Sequence, residues 1–474
     1  MVKKNVIDFL KDERNLSLFE RSYNGFYYWQ SIRFFVCESL FGTRIADEEK
    51  QRQQNRKTFL QNLIILLKCL FKAFRDSFHP IKKAELLILR DTFLSDRMVF
   101  DSWCLPENIT VSNYRCSSYM DYPRKNENFL EWPRIKSVVI HKLKRCLHLN
   151  RIDVNERHFL IELQKKLQNK FGQCISAQEM ERAILASMVS DKNYCEAFKK
   201  LFTKSRCKAI AFECYYSNLF FSAIKVANEL GITVIEFQHG VINNHQEYWF
   251  EDRRGLNNYT PDYLLTFGEV HNNWIQLVEG KKAITIGYPF QEKSIEAVRD
   301  IYPNEKEIMI YPVSDSRFEE VLDQFTNEIT KLGYSVYLKI HPIEAKNEPI
   351  YYPVLSQNRN LQVITSQKEG IYYWLKKAKH HIMASTTVGL EAIAFDHCNV
   401  CIAEDVPHDQ TQCLLDWGVA RCFSTVDELK NLILNPLDLT TEEAKKARER
   451  LWSSNASTNM TNIFRKFKEN NWRL

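Results

Sequence analysis

Three short segments in the second half of the chain hold side chains that could move a proton or grip a phosphate. The first is Gln238-His239-Gly240, which follows the apolar run Val234–Phe237. An imidazole near its ordinary pKa suits proton abstraction at neutral pH, so His239 is a candidate general base. Gly240 gives the backbone freedom to turn there. Glu236, Asp91 and Glu247 are alternatives for the same role, and His245 lies in the same loop as Glu247. Taken alone, His239 also fits a structural histidine.

The second segment is His341-Pro342, directly after Leu338-Lys339-Ile340. Proline ends a strand and re-aims the chain, and the imidazole beside it can donate to a phosphate oxygen. The third is Ser385-Thr386-Thr387-Val388-Gly389, ahead of a helix starting near Leu390. Hydroxyls at such a position are ordinary helix caps. The same hydroxyls, with free backbone N–H groups, also make a phosphate site, and the two roles are compatible. Gly389 would let the backbone come close, and Glu391 lies where a carboxylate could take ribose hydroxyls.

The surrounding pattern predicts the elements that position these loops. ELLILR, CKAIAFE, ITVIEF, PDYLLTF and AITI read as buried strands, with an amphipathic helix over Asn218–Gly231 between the second and third. The pattern restarts at EIMIYP and continues through YSVYLKI, LQVIT, HHIMA and NVCIAE, with helices over Arg317–Leu332 and Ile371–Ala378. Strand and helix alternating in short steps mean parallel α/β units. The fold class is therefore α/β, with two Rossmann-like domains facing across a cleft and a helical element in front. The expected division is a helical element over 1–80, a first Rossmann-like domain over 81–290, a second over 291–450 and a C-terminal helix over 451–474. Ligands of such sheets bind at the carboxyl ends of strands, where all three loops fall.

Composition excludes several classes. The 474 residues are 45% hydrophobic and 26% charged, which excludes a disordered chain or a polytopic membrane protein. A net charge of +6 over this length does not point to nucleic acid, but it suits anionic small molecules or an anionic membrane surface. The 13 cysteines form no disulfide or zinc framework, as expected in a reducing cytoplasm. Phe59–Phe71 is apolar but short and interrupted by Lys68, so it reads as a buried or interfacial helix. Lys57, Lys72 and Arg75 around it suggest docking on the cytoplasmic leaflet. There is no GxxxxGK[ST] phosphate loop, GxGxxG, HExxH or GxSxG. Asp315, Asp405 and Asp409 could meet a cation, but no DxD triplet is present.

The order QHG, then HP, then STTVGLEA, each after an apolar strand, resembles inverting glycosyltransferases of the two-Rossmann GT-B type that build bacterial surface glycans. The HP pair and Ser/Thr cluster are similar to motifs of bacterial sialyltransferases and polysialyltransferases. The HG loop is similar to that of CDP-glycerol glycerophosphotransferases, and EFQHGVINNHQEYW, PDYLLTFG and IGYP resemble capsular polysaccharide biosynthesis proteins. The resemblance covers roughly residues 205–405.

The resemblance implies inverting, metal-independent transfer of a sugar or polyol phosphate from a nucleotide-activated donor. That donor would be CMP- or CDP-linked, with UDP and GDP as alternatives, and no further cofactor is expected. The acceptor would be a lipid-linked glycan or a growing polysaccharide in capsule or lipopolysaccharide synthesis, handled at the inner face of the cytoplasmic membrane. His239 would be the base, with Gln238, Gly240 and His245 on the acceptor side. His341, Pro342, Ser385, Thr386, Thr387, Gly389 and Glu391 would hold the nucleotide. Two other readings stay open: a nucleotide-sugar epimerase or hydrolase on the same fold, which needs paired carboxylates over the sugar ring, and a non-catalytic subunit of a glycan-assembly machine.

Overall fold

Strands that are apolar along their whole length must be covered on both faces, and they build two parallel sheets here. The computed structural model describes residues 2–41, 80–90, 104–116, 127–130, 132–147, 151–172, 174–240, 242, 252–256, 259–311, 316–340, 352–366, 368–384, 386–404 and 411–474. Asp91, His245, Glu247, Asp315, His341, Pro342, Ser385, Asp405, Asp409 and the apolar run Phe59–Phe71 lie outside the described residues.

A small hairpin, β1 (Ser22–Tyr23) and β2 (Phe26–Tyr27), lies between helices α1 (Val2–Asn15) and α2 (Trp29–Phe41). The first sheet holds β3 (Leu86–Arg90), β4 (Val111–Arg115), β5 (Glu127–Phe129), β6 (Ala209–Glu213), β7 (Thr233–Phe237), β8 (Tyr263–Thr266) and β9 (Lys282–Thr285). Its order is β5-β4-β3-β6-β7-β8-β9, with every pair parallel. The intervening helices are α3 (Trp132–Cys146), α4 (Val154–Phe171), α5 (Ala177–Ser205), α6 (Asn218–Glu229) and α7 (Glu269–Trp274).

After the connecting helix α8 (Pro289–Ala297), the second sheet takes β10 (Asn304–Ile310), β11 (Ser335–Lys339), β12 (Leu361–Ile364), β13 (Ala378–Met383), β14 (Asn399–Ala403) and β15 (Arg421–Phe423). Their order is β12-β11-β10-β13-β14-β15, again all parallel. Its helices are α9 (Ser316–Ile329), α10 (Ile371–Lys377), α11 (Val388–Ala392), α12 (Gln412–Asp416) and α13 (Val426–Leu434), followed by α14 (Glu442–Leu451) and α15 (Ala456–Glu469). Chain order reverses direction between β3 and β6 in one sheet and between β10 and β13 in the other. These are the switch points at which such sheets take ligands.

Three strands were not legible as apolar runs: Val111–Arg115, Glu127–Phe129 and Arg421–Phe423. Two of them are sheet edges, and β4 is half polar, so none carries a continuous apolar signal. The helical element expected over 1–80 also contains a short non-helical stretch. Asn24 and Gly25 both have positive φ, 50° and 76°, and close a two-residue hairpin turn that takes Phe26 and Tyr27 into β2.

The N-terminal helices are built into the first domain's helical layer. Phe9, Trp29 and Ile32 share one apolar core with Leu160, Leu163, Met180 and Ile184 of α4 and α5. Buried Glu13 ties this element together, accepting from Trp29 Nε1 at 2.6 Å and from Arg33 Nε at 2.6 Å.

The C-terminal segment crosses back to the first sheet. Phe464 stacks on Phe237 with centroids 6.1 Å apart, and Phe467 meets Tyr263 edge-on at 4.9 Å. Two glycines make the crossing possible. A Cβ on Gly268 would lie 2.3 Å from the Leu451 carbonyl oxygen, and one on Gly287, at φ +90°, 2.4 Å from that of Ser453. At the crossing point Trp452 packs against Phe267 and Tyr288 of the first domain and donates its indole N–H to the Leu390 carbonyl of the second at 2.9 Å.

Candidate functional site

The first-domain side of the site is built on the ends of β6 and β7, which pair with Glu213 opposite Phe237. Gln238 is buried and fixes the turn that follows: its Oε1 accepts from Phe267 N at 2.8 Å and its Nε2 donates to the Gly240 carbonyl at 2.8 Å. Gly240 has no positive φ and open space where a Cβ would go, so the turn owes its shape to Gln238 and not to glycine's conformational freedom. His239 stands beyond this brace with Nε2 3.1 Å from the Tyr216 hydroxyl. Enclosure of most of the ring, and secondarily the cation of Arg253, push its pKa down to about 4. The imidazole is therefore neutral at pH 7.

Glu236 is fully engaged. It is buried, ion-paired with Arg253, and accepts from Tyr215 N at 3.1 Å. Arg253 in turn lies 3.8 Å above the Tyr215 ring. This buried pair props the strand end from below.

Glu213, at the switch point, differs sharply. It is buried, and its Oε1 has no hydrogen-bond partner among the described residues. Desolvation drives its pKa up to about 8, with Arg90 on the neighbouring strand β3 pulling the other way. Glu213 therefore holds a proton close to neutral pH, and the sequence reading did not single it out.

On the second domain, Thr386 and Thr387 sit at the start of α11. The Thr386 hydroxyl accepts from Val388 N at 3.4 Å, and the Thr386 and Thr387 carbonyls accept from Gly389 N and Leu390 N at 3.3 and 3.0 Å. Those N–H groups are used within the turn, and the Thr387 side chain makes no capping bond. Gly389 is needed for packing: a Cβ there would lie 2.7 Å from Met383 Sδ and 3.3 Å from Thr411 Cγ2.

Glu391 lies at the domain boundary. Burial raises its pKa to about 7, and the nearby Tyr372 hydroxyl lowers it in part. Tyr372, at the first turn of α10, lies against both Glu391 and Gln291 of the connecting helix α8. Yet the Tyr372 hydroxyl, Gln291 Nε2 and Glu391 Oε2 are each buried without a hydrogen bond of good geometry among the described residues. Tyr288, at the start of the same connector, feels both carboxyls: desolvation first, then Glu391, then Glu213 hold its phenol well above its ordinary pKa.

The structure thus brings Glu213 and Glu391 to one interdomain region, joined through Tyr288, with His239 one strand away from Glu213. Leaving buried polar atoms unsatisfied costs about 1–3 kcal/mol each. Four such atoms around one boundary form a set awaiting hydrogen-bond partners. Glu213, Gln291 and Tyr372 carry no motif, Tyr288 falls in the IGYP segment without having been read as a site residue, and the one signal for Glu213 in the sequence is a carboxylate ending an apolar strand. Among the described residues no group of three or more His, Cys, Asp or Glu side chains could hold a metal ion.

No protein-family model matches the chain, and no curated protein matches its sequence. Solved structures do share its architecture. The UDP-GlcNAc 2-epimerase of Methanocaldococcus jannaschii superposes with a TM-score of 0.50 at 12% identity, over 81% of this chain and 99% of that one. A complex of S. aureus MnaA with UDP gives 0.49 at 11% identity, over 82% and 97%. MurG of Acinetobacter baumannii gives 0.41 at 13% identity, over 81% and 99%. The fold is the two-Rossmann-domain GT-B fold.

Proposed function

We propose that the protein is an inverting glycosyltransferase that moves a sugar or polyol phosphate from a nucleotide-activated donor to a surface-glycan acceptor. One observation carries the reading. The ends of β6 and β7 on one domain, and helix α11 on the other, carry groups with displaced pKa values: His239 lowered to about 4, Glu213 raised to about 8 and Glu391 raised to about 7. Displaced pKa values cluster where acid–base chemistry is done. An acceptor hydroxyl needs a base to attack the donor carbon. His239 is the candidate read from the sequence, and Glu213 now joins it, since a carboxyl with a pKa near the working pH is well matched to proton transfer. Thr386, Thr387 and, from the sequence, His341, Pro342 and Ser385 would hold the nucleotide phosphates, with Glu391 on the ribose or the sugar.

Binding is tested by thermal shift with CMP, CDP, UDP and GDP, since a ligand specific to the native state raises the melting temperature by mass action. No shift with any nucleotide, nor with UDP-GlcNAc, overturns the reading. His341→Ala and Thr386→Ala should each weaken the nucleotide that does bind by roughly ten- to a hundredfold, the worth of a hydrogen bond to a charged group.

Two carboxyls, Glu213 and Glu391, that both influence Tyr288 also favour a second reading, donor-only chemistry such as epimerisation or hydrolysis, which needs two carboxyls near one sugar ring. The M. jannaschii neighbour is such an epimerase by name. Incubating UDP-GlcNAc with the enzyme and no acceptor separates the two. Rapid approach to a fixed mixture of the donor and its epimer supports epimerisation, complete consumption to nucleotide and free sugar supports hydrolysis, and slow loss at most supports transfer.

A further inference from the structure

Helix α3 is held at one end and bare at the other. Its first turns are anchored to α5: Asn193 Nδ2 donates to buried Ser137 Oγ at 2.9 Å, and Lys136 pairs with Glu196 at 3.1 Å. Past His141 the described side chains are exposed. Lys142, Leu143, Lys144, Cys146 and Leu147 are all exposed, Leu143 by 56% and Leu147 by 64%. Trp132, 47% exposed, shares their face, since spacings of 11 and 4 residues return nearly to the same side of a helix. Val154, which opens the next helix, is 79% exposed.

The charge around this apolar line has one sign. Residues 132–147 contain Arg134, Lys136, Lys142, Lys144 and Arg145 and no acidic residue, and Arg151 follows before the first carboxylate at Asp153. No helix among the described residues is long and apolar enough to cross a membrane. A helix with leucines and a tryptophan on one face and lysines on its flanks is built to lie in the interface of a bilayer. Its cations complement anionic headgroups, and its indole suits the headgroup level. A polyanion such as RNA would satisfy the lysines but leave Leu143 and Leu147 in water.

We infer that the free end of α3 docks the protein on an anionic lipid surface, with Leu143 and Leu147 entering the acyl boundary and Lys142 and Lys144 meeting headgroup charges. This surface belongs to the first domain and is separate from the residues 57–75 suggested by composition, so the two are separable by mutation. It also does not depend on the reaction at the domain boundary.

The test is flotation of the full chain with vesicles of phosphatidylglycerol and phosphatidylcholine, or of phosphatidylcholine alone, at low and high salt. The variants are Lys142→Gln/Lys144→Gln and Leu143→Gln/Leu147→Gln. All four positions are exposed, and thermal melts confirm that the variants fold. The wild type should float with the anionic vesicles, less at high salt and little with phosphatidylcholine. The lysine variant should lose roughly thirtyfold in partition, as about 1 kcal/mol per cation implies. The leucine variant should lose about tenfold or more, from apolar area no longer buried. Failure of the wild type to float, or equal flotation of wild type and both variants, overturns the inference. So does binding to poly(U) or polyglutamate that displaces the protein from vesicles and is lost in the lysine variant alone.

Discussion

Glu213 and Glu391 come from opposite domains, yet the same phenol, that of Tyr288, lies within electrostatic reach of both, and their charges add to the burial that holds its proton in place. Each carboxyl is raised by burial, to about 8 and about 7 respectively. Two acids kept protonated near neutrality on either side of a domain boundary are a costly arrangement for stability alone. Such groups mark sites of proton transfer or of hydrogen bonding to a neutral ligand.

Stability should register Glu213 through pH. Its folded pKa, about 8, lies above the ordinary carboxyl value, so the folded state holds the proton more tightly than the unfolded one. Its contribution is fully present below about pH 4.5 and is lost as pH rises through 8. Glu213→Gln keeps the neutral form at every pH. The variant should match the wild type near pH 5 and melt higher at pH 9, and thermal melts across that range check it. A gap of constant size would show that Glu213 is ionised throughout.

The identity of the base is written in the acid limb of the pH–rate profile. A base at His239, with its pKa near 4, keeps kcat/KM flat from pH 5 to 7. A base at Glu213 makes kcat/KM climb until about pH 8. Whichever residue serves, its alanine variant should lower kcat by about 10²–10⁴-fold with nucleotide binding nearly intact. Loss of nucleotide affinity instead would place that residue in binding.

Tyr372→Phe should separate stability from function. The hydroxyl is buried without a partner of good geometry among the described residues, so removing it relieves a desolvation cost of roughly 1 kcal/mol and should raise the melting temperature of the free protein. If the cluster with Gln291 and Glu391 holds the donor's sugar, the same variant binds nucleotide sugar more weakly and bare nucleotide unchanged. Calorimetry with both ligands reads the difference.

Breaking the buried pair under β7 should be expensive. Arg253→Met leaves Glu236 buried and unpaired, a situation that costs about 3–5 kcal/mol. Arg253→Met combined with Glu236→Gln should recover much of that loss, measured by denaturant titration. Activity should fall in both, because the strand end that presents His239 loses its support.

Gly268→Ala should loosen the C-terminal crossing. The new Cβ would meet backbone carbonyls of Arg450 and Leu451 at 2.4 and 2.3 Å, and backbone cannot rotate away as a side chain can. A cost of about 1–3 kcal/mol is expected. Faster hydrogen exchange in α15 would show that the segment, and Trp452 with it, has lifted.

What the sequence determined by itself was the frame. Runs such as Leu86–Arg90, Ala209–Glu213 and Asn399–Ala403 are apolar on both faces, and an element buried on both sides leaves that mark in consecutive residues. Strand ends follow from the frame, so Gln238, His239, Thr386 and Glu391 could be placed at the carboxyl edges where ligands bind. Glu127–Phe129 was not legible, because three residues with two polar side chains carry no apolar run, whereas the edge strands Lys282–Thr285 and Leu361–Ile364 are apolar enough to read from AITI and LQVIT. The tertiary structure alone decided the chemistry of the boundary. A glutamate ending an apolar strand reads the same whether it meets water or a closed interior. Burial drives the Glu213 carboxyl toward its protonated form, against the pull of Arg90 on the neighbouring strand, and that enclosure is made by the packed sheet and its surroundings. Desolvation depends on everything within a few ångströms in space, and local sequence carries almost none of that.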